Sequence, residues 1–264
     1  MKDFFNLGIL SSMPEELGSI LTLLKNVQKK DLGDLVIYKG KWTLNNTKDF
    51  EINVILAWSG WGKVSAARAA TRLISLQNKN EPLDLIIFTG VAGGIKKSLK
   101  QWDIVIPEEV MQHDFDARPI FERFTIPALG KSKLNTSKRL TKWVSDLLIQ
   151  SISKKNLEKF GKIYNGLIAT GDCFVSDKTF IKELQTNIPN ISAVEMEGAA
   201  VAQVAEQEKI NWLVLRVISD NADESAVENF SEFLEKYNHL SWNLIKEILI
   251  GFEKEELLIS EFLD

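Results

Sequence analysis

The sequence predicts a single α/β domain over 1–264, with a doubly wound, mostly parallel sheet packed between helices. Three observations predict it. Short apolar runs alternate with longer amphipathic stretches along the whole chain, the pattern of strands joined by crossover helices. Hydrophobic residues make up 45% and charged residues 26% of 264, the composition of a folded chain with a sizeable core. No Gly-, Pro- or Ser-rich linker, internal repeat or low-complexity tract divides it.

The elements follow in order. Phe5–Ser11 reads as a buried strand, followed by a helix from Pro14, because proline suits a first helical turn. Asp34–Tyr38 and Ile52–Trp58 read as strands. Lys63–Leu76 spaces Val64, Ala67, Leu73 and Ile74 as a packed helix. Leu83–Thr89 is continuously apolar, as expected of a strand covered on both faces, and Asp103–Pro107 follows closely. Leu134–Leu148 reads as helix, Gly166–Thr170 as strand and Lys178–Leu184 as helix. Strands Ile191–Val194 and Trp212–Ile218 flank an alanine-rich helix, Gly198–Gln207. One long helix is expected from Ser231 to beyond Ile250. Met111–Ser137, with Pro119, Pro127 and Gly130, reads as an irregular excursion over a ligand or onto a partner subunit.

Composition excludes several function classes. The net charge of −4 leaves no basic excess for coating nucleic acid. Cys173 is the sole cysteine and the histidines are His113 and His239, so a His- or Cys-rich metal centre is excluded and only carboxylates remain as metal donors. No signal peptide or spanning segment is read, and the expected location is cytoplasmic, away from membranes.

Several motifs fall at strand ends. Ser59-Gly60-Trp61-Gly62-Lys63-Val64-Ser65 imitates a dinucleotide loop, but its third glycine position is Ser65 and the nearest acid, Asp84, begins the next strand rather than ending it. Thr89-Gly90-Val91-Ala92-Gly93-Gly94 follows the most buried strand, where glycines let backbone N–H groups face a ligand. Glu15 and Glu16 open the first predicted helix, where a dipole favours carboxylates. Val194-Glu195-Met196-Glu197-Gly198 and Arg216-Val217-Ile218-Ser219-Asp220 put acids at the ends of apolar strands. Arg216, inside such a run, needs an anionic partner if buried. Trp58, Trp61, Phe174 and Phe230 are candidates for stacking a flat ligand.

Taken together and in order, GILSSMPEEL, SGWGKVSAA, FTGVAGGI, DIVIPEEV, ATGDCFVSDK, AVEMEGAAVA and LRVISDNAD resemble the 5′-methylthioadenosine/S-adenosylhomocysteine nucleosidases of the purine nucleoside phosphorylase superfamily. The similarity runs from Gly8 to Asp223 and continues through NFSEFL to Leu234. It implies a nucleoside phosphorylase-like fold, one domain with a twisted mixed central sheet flanked by helices, assembled as a homodimer. It also implies hydrolysis of the N-glycosidic bond of methylthioadenosine and adenosylhomocysteine, with no metal or organic cofactor.

Carried over by residue, the resemblance makes Glu16 the carboxylate that activates water, and Asp220 the acid that protonates adenine N7. Glu197 holds the ribose hydroxyls, Met196 packs beneath the sugar, and Arg216 orients Glu16 and the water. Phe174 stacks on adenine, the Val175 backbone reads its edge, and Gly93 and Ser219 lie beside the ligand. Met13, Trp61 and Phe230 line the 5′-alkylthio pocket, and His113 with Asp114 approaches it across the dimer. Two positions depart from the pattern. Val91 stands where serine is common, removing a polar contact. Trp61 replaces a smaller aliphatic residue, which narrows the 5′ pocket.

The residue types suit the chemistry, since glycosidic cleavage places positive charge on ribose and negative charge on the departing purine. General acid and base groups each contribute roughly 10²–10⁴-fold to such a step. The acid must hold its proton near neutrality, which needs desolvation or a carboxylate neighbour. A phosphorylase of the same superfamily is the nearest rival, but it needs a cation where SSMPEEL presents Glu16. Other purine nucleosidases, a silent nucleoside-binding or adhesion module, and a dinucleotide oxidoreductase are the further alternatives.

Overall fold

The computed structural model describes residues 4–42, 51–77, 81–220 and 226–254. Among them, ten strands form one sheet: β1 (Phe4–Ser11), β2 (Lys25–Asp31), β3 (Val36–Trp42), β4 (Glu51–Trp58), β5 (Leu85–Gly94), β6 (Ile104–Gln112), β7 (Leu134–Asn135), β8 (Ile163–Thr170), β9 (Ile191–Glu195) and β10 (Asn211–Asp220). Six α-helices cover it: α1 (Lys63–Ser75), α2 (Lys138–Ser153), α3 (Lys178–Asn187), α4 (Gly198–Glu208), α5 (Ala226–Asn238) and α6 (Ser241–Lys254).

The strand order is β10-β6-β8-β9-β5-β1-β4-β3-β2, with β7 on β6. Because β10 also pairs with β5, five strands close into a ring, and β1-β4-β3-β2 extend from it as an open wing. The sheet is mixed, not mostly parallel. The pairs β1–β4, β1–β5, β5–β10, β6–β8 and β8–β9 are parallel. The β2-β3-β4 meander is antiparallel, and β6 and β9 run against β10 and β5.

Helices cover the ring and the inner strands of the wing, while β2 at its outer edge is exposed. Helices α2, α5 and α6 press Leu140, Val144, Phe233, Leu244 and Ile248 onto one side. On the other, α1 and α4 meet through small faces, Ala66, Ala69 and Ala70 with Ala199, Ala202 and Ala205, so both helices lie close to the strands. A third cluster beneath α3 joins Leu184 and Ile188 to Leu167 and Val194. Side-chain caps start two helices. The Ser137 hydroxyl accepts from Leu140 N–H, and the Asp177 carboxylate accepts from Phe180 N–H at 2.8 Å.

Four elements differ from expectation. The helix after Pro14 is only a 3₁₀ turn, Pro14–Glu16, followed by another, Ile20–Leu23; Gly18 between them takes φ +48°. A side chain there would collide with the Asn238 carbonyl, so this glycine lets the α5–α6 corner seat on the turn. Ser241 Oγ also donates to the Glu15 carbonyl at 3.0 Å. That corner breaks the expected long terminal helix into α5 and α6. Strand β2 was not expected, because KNVQKKD is exposed throughout and carries no apolar alternation. Finally, β6 runs on to Gln112, and Leu134 pairs with Val110 in β7 rather than starting α2. No helix among the described residues is long and apolar enough to cross a membrane.

Candidate active site

The carboxyl ends of β1, β8, β9 and β10 meet the second half of β5 around an open cavity of about 570 Å³. Ligand crevices in α/β sheets form at such strand ends. Its lining contains Met13, Glu16, Trp61, Val91, Gly93, Phe174, Val175, Met196, Glu197, Ser219, Asp220 and Phe230, all singled out from the sequence. Ser12, Ala92, Cys173, Val194 and Glu195 line it as well; these lay in motifs quoted from the sequence but were given no individual role.

Glu16 is 2% exposed and accepts four hydrogen bonds. Oε2 takes Ser12 N–H at 2.8 Å, Ser12 Oγ–H at 2.6 Å and Met13 N–H at 3.0 Å; Oε1 takes Val91 N–H at 2.9 Å. With only a three-residue turn beneath it, the carboxylate is held by these individual donors rather than by a helix dipole. Ser12 follows from chain geometry, since the residue just after β1 lies four before Glu16. The backbone, not the side chain, of Val91 makes the contact, so valine there keeps this bond.

Glu195 and Glu197, both placed at the sheet edge by the sequence, make different contacts. Glu195, the last residue of β9, accepts from Glu197 N–H at 3.1 Å and Gly198 N–H at 2.7 Å, capping α4. It also accepts from the Thr170 hydroxyl and is ion-paired with the Arg216 guanidinium. Arg216, 1% exposed, therefore has the anionic partner its burial demands, and that partner is Glu195. The expected direct orientation of Glu16 by Arg216 is not a salt bridge here. Arg216 lies behind the cavity lining, with its guanidinium 4.2 Å over the Phe88 ring. Its Nη1 has no hydrogen-bond partner and faces Gly90, whose bare Cα also faces Glu16 Oε1. β9 is buried along its whole length, and Glu195 and Glu197 share one parity, so no alternation in the sequence singles out Glu195.

Glu197 is buried, accepts from Gly62 N–H at 2.7 Å through Oε1, and has Arg216 3.8 Å from Oε2. Burial first, then the Glu195 carboxylate, pushes its carboxyl from an ordinary 4.5 up to about 8, against the pull of Arg216 and Gly62 N–H. The folded state thus binds this proton more tightly than the unfolded chain. Its stabilising effect is whole below about pH 4.5 and is lost as pH rises to about 8. Thermal melts from pH 4.5 to 8 are expected to show Glu197→Gln gaining on the native protein as pH rises. Parallel pH profiles would contradict this.

At the end of β10 the register slips between Ile218 and Asp220, a bulge that brings both Ser219 and Asp220 to the cavity. Asp220 is buried and accepts from Ser219 Oγ–H at 2.6 Å. The last residues of that motif, 221–223, lie outside the described residues. Three aromatic rings form the rim. Trp61 and Phe174 each stand edge-on to Phe230, with centroids 6.3 and 5.9 Å apart. Cys173 sits beside them, its thiol pushed up by burial and then by the Asp114 and Asp172 carboxylates.

His113 does not line the cavity of its own chain. It is buried against the Gly171 backbone and the Phe180 ring, and desolvation lowers its pKa. The side chain of the next residue, Asp114, turns to Lys63. Among the described residues, no group of three or more His, Cys, Asp or Glu is arranged to hold a metal ion.

Comparison with known proteins bears on the chain as a whole. The model of the phosphorylase superfamily matches residues 6–250. The 5′-methylthioadenosine/S-adenosylhomocysteine nucleosidase of Haemophilus influenzae is 34% identical over 244 residues, covering 92% of this chain and 98% of that one. The solved nucleosidase of the same name from Neisseria meningitidis, in complex with methylthio-immucillin-A, superposes with a TM-score of 0.80 at 28% identity, covering 92% and 98%. The futalosine hydrolase of Helicobacter pylori gives 0.78 at 32%, covering 94% and 98%.

Proposed function

This chain belongs to the 5′-methylthioadenosine/S-adenosylhomocysteine nucleosidase family of the phosphorylase superfamily, and on that premise we propose that it hydrolyses the N-glycosidic bond of both nucleosides, releasing adenine and the 5′-thioribose product. One observation carries the reading. A buried carboxylate, Glu16, faces the cavity where a phosphorylase needs a cation, and it shares that cavity with Glu197 and Asp220.

Three of the four donors to Glu16 occupy Oε2, so Oε1, with Val91 N–H alone, has capacity for one more. Water bound there gives its proton to Glu16 as its oxygen attacks C1′. The bond electrons leave with the purine, and Asp220 delivers a proton to N7. Arg216 Nη1, facing Gly90 opposite Oε1, is placed to hold the same water. Glu197 takes the ribose hydroxyls and Met196 packs beneath the sugar. Phe174 and the Val175 backbone receive adenine, with Gly93 and Ser219 beside it, and Met13, Trp61 and Phe230 receive the 5′ group. The active form is a homodimer in a cytoplasmic setting. Val64 and Ile120, 80% and 82% exposed, and the half-exposed Trp61, Phe121 and Phe174 supply apolar surface for a second copy.

Incubation with methylthioadenosine, with and without phosphate, is expected to release adenine at the same rate and give free methylthioribose. A ribose 1-phosphate product would overturn the hydrolase reading.

Trp61 bears on substrate choice. Its indole lines the cavity and meets Phe230 edge-on, where a sulfur–aromatic contact is worth roughly 0.3–1.5 kcal/mol and the ring crowds a longer tail. Trp61→Ile is expected to shrink the preference for methylthioadenosine over adenosylhomocysteine, read as the ratio of their kcat/KM values. An unchanged ratio would place the indole outside the substrate's path.

A further inference from the structure

Lys63 stands in an unfavourable place. It is the first residue of α1, where the helix macrodipole disfavours a cation, and the preceding Gly62 offers no capping side chain. The missing anion comes from another loop, since Lys63 N–H donates to Asp172 Oδ1 at 2.8 Å. The ammonium reaches the same loop and the end of β6. Its Nζ lies 2.6 Å from Asp114 Oδ1, 3.2 Å from Gln112 Oε1 and 4.0 Å from Asp172 Oδ2. Asp172 N–H closes the circuit on Asp114 Oδ2 at 2.9 Å. Burial works to raise the Asp114 carboxyl, but the bonds from Lys63 and Asp172 N–H outweigh it and hold the group below its ordinary value.

Both ends of this clasp touch the site. One residue before Lys63, Gly62 N–H holds the Glu197 carboxylate at 2.7 Å. Two residues after Asp172 comes Phe174, on the cavity rim. Without the ammonium, Asp114 and Asp172 would face one another as like charges, and only the bonds from Lys63 N–H and Asp172 N–H would be left to hold the loop carrying Phe174 to the turn carrying Gly62.

We infer that Lys63 is a positioning residue that fixes the spacing between Glu197 and Phe174, so that sugar and base are gripped together. The inference rests on the nucleosidase reading for the identity of the two gripped groups. Free adenine uses one end of the clasp, and an intact nucleoside uses both.

The experiment compares Lys63→Met with Lys63→Arg, using methylthioadenosine turnover, inhibition by free adenine, and hydrogen exchange of the ligand-free protein by mass spectrometry. In Lys63→Met, KM for methylthioadenosine is expected to rise about tenfold or more, while the adenine inhibition constant moves less than about threefold. Exchange should accelerate together in peptides covering 59–63 and 171–175. Lys63→Arg should recover most of both effects, because its fork can still span the two carboxylates. A loss of stability alone lowers the active fraction and leaves KM in place. If Lys63→Met does not fold, Asp172→Ala removes the acceptor of Lys63 N–H and that carboxylate from the clasp while Lys63 stays, and is read in the same way.

An unchanged KM, or KM and the adenine constant rising in step, would overturn the inference. So would unaltered exchange at either loop, a reading that needs no turnover. Absence of adenine release by the native protein would instead sink the nucleosidase reading, and the exchange data would still decide whether Lys63 binds the two loops together.

Discussion

Gly90→Ala is expected to fold and to lose about 10³-fold in kcat, the loss of a general base together with the group that places its water. Gly90 is in the middle of β5, with no left-handed backbone to explain it, and pairs in register with Arg216 of β10. Its missing side chain is what matters. A Cβ there would collide with Glu16 Oε1 and stand 2.5 Å from Arg216 Nη1. The carboxylate cannot simply swing away, because Ser12, Met13 and Val91 hold both its oxygens. The added methyl is an overpacking of roughly 1–3 kcal/mol, tolerable for a sheet closed and covered as this one is. Steady-state kinetics beside a thermal melt would check it. A folded variant retaining kcat within tenfold would mean that Glu16 and Arg216 need not meet across residue 90.

Asp220→Asn is expected to lower kcat for methylthioadenosine by about 10²-fold or more with little change in substrate Kd. The amide keeps the shape of the carboxyl and an oxygen for the Ser219 hydroxyl, which now lies 2.6 Å away. It has no proton acidic enough to pass to N7, and that proton is needed only as the bond breaks. A riboside whose leaving group departs unprotonated should be spared. Undiminished turnover of an adenine nucleoside would remove Asp220 from the acid role.

Much of this site was legible in the sequence because it is built where apolar strands stop. Glu197 and Asp220 stand at the ends of such runs, whereas Glu16, which its position at a helix start alone would explain, was assigned through the resemblance of GILSSMPEEL. Glu195 was half visible. A buried Arg216 demanded an anion, but two glutamates stood within reach, and only their contacts distinguish them: Glu195 is ion-paired and hydrogen-bonded to the guanidinium, and Glu197 lies 3.8 Å away. The Lys63 circuit was hidden, since it joins residues from the end of β6, the start of α1 and the loop after β8, and no local pattern records which loops meet. The fold was legible wherever strands are covered on both faces. It failed at β2, whose exposed lysines carry no period, and at the α5–α6 corner, which packs on a turn distant in sequence where Gly18 leaves room for the Asn238 carbonyl.

The closure of β10 onto β5 has a consequence for how the molecule is made. Between those two partners in the chain lie β6, β7, β8 and β9 together with α2, α3 and α4, so nearly every other strand is synthesised before the ring can shut. Until then β5 presents an open apolar edge, the kind of surface that captures a stray strand. Glu195 and Glu197 meanwhile have no guanidinium between them, because Arg216 arrives on β10 itself. The last strand in therefore seals the barrel, neutralises its interior charge and brings the acid, Asp220, in one insertion. A shorter nascent chain has no partial activity to offer, and catalytic competence arrives only with the final strand's docking.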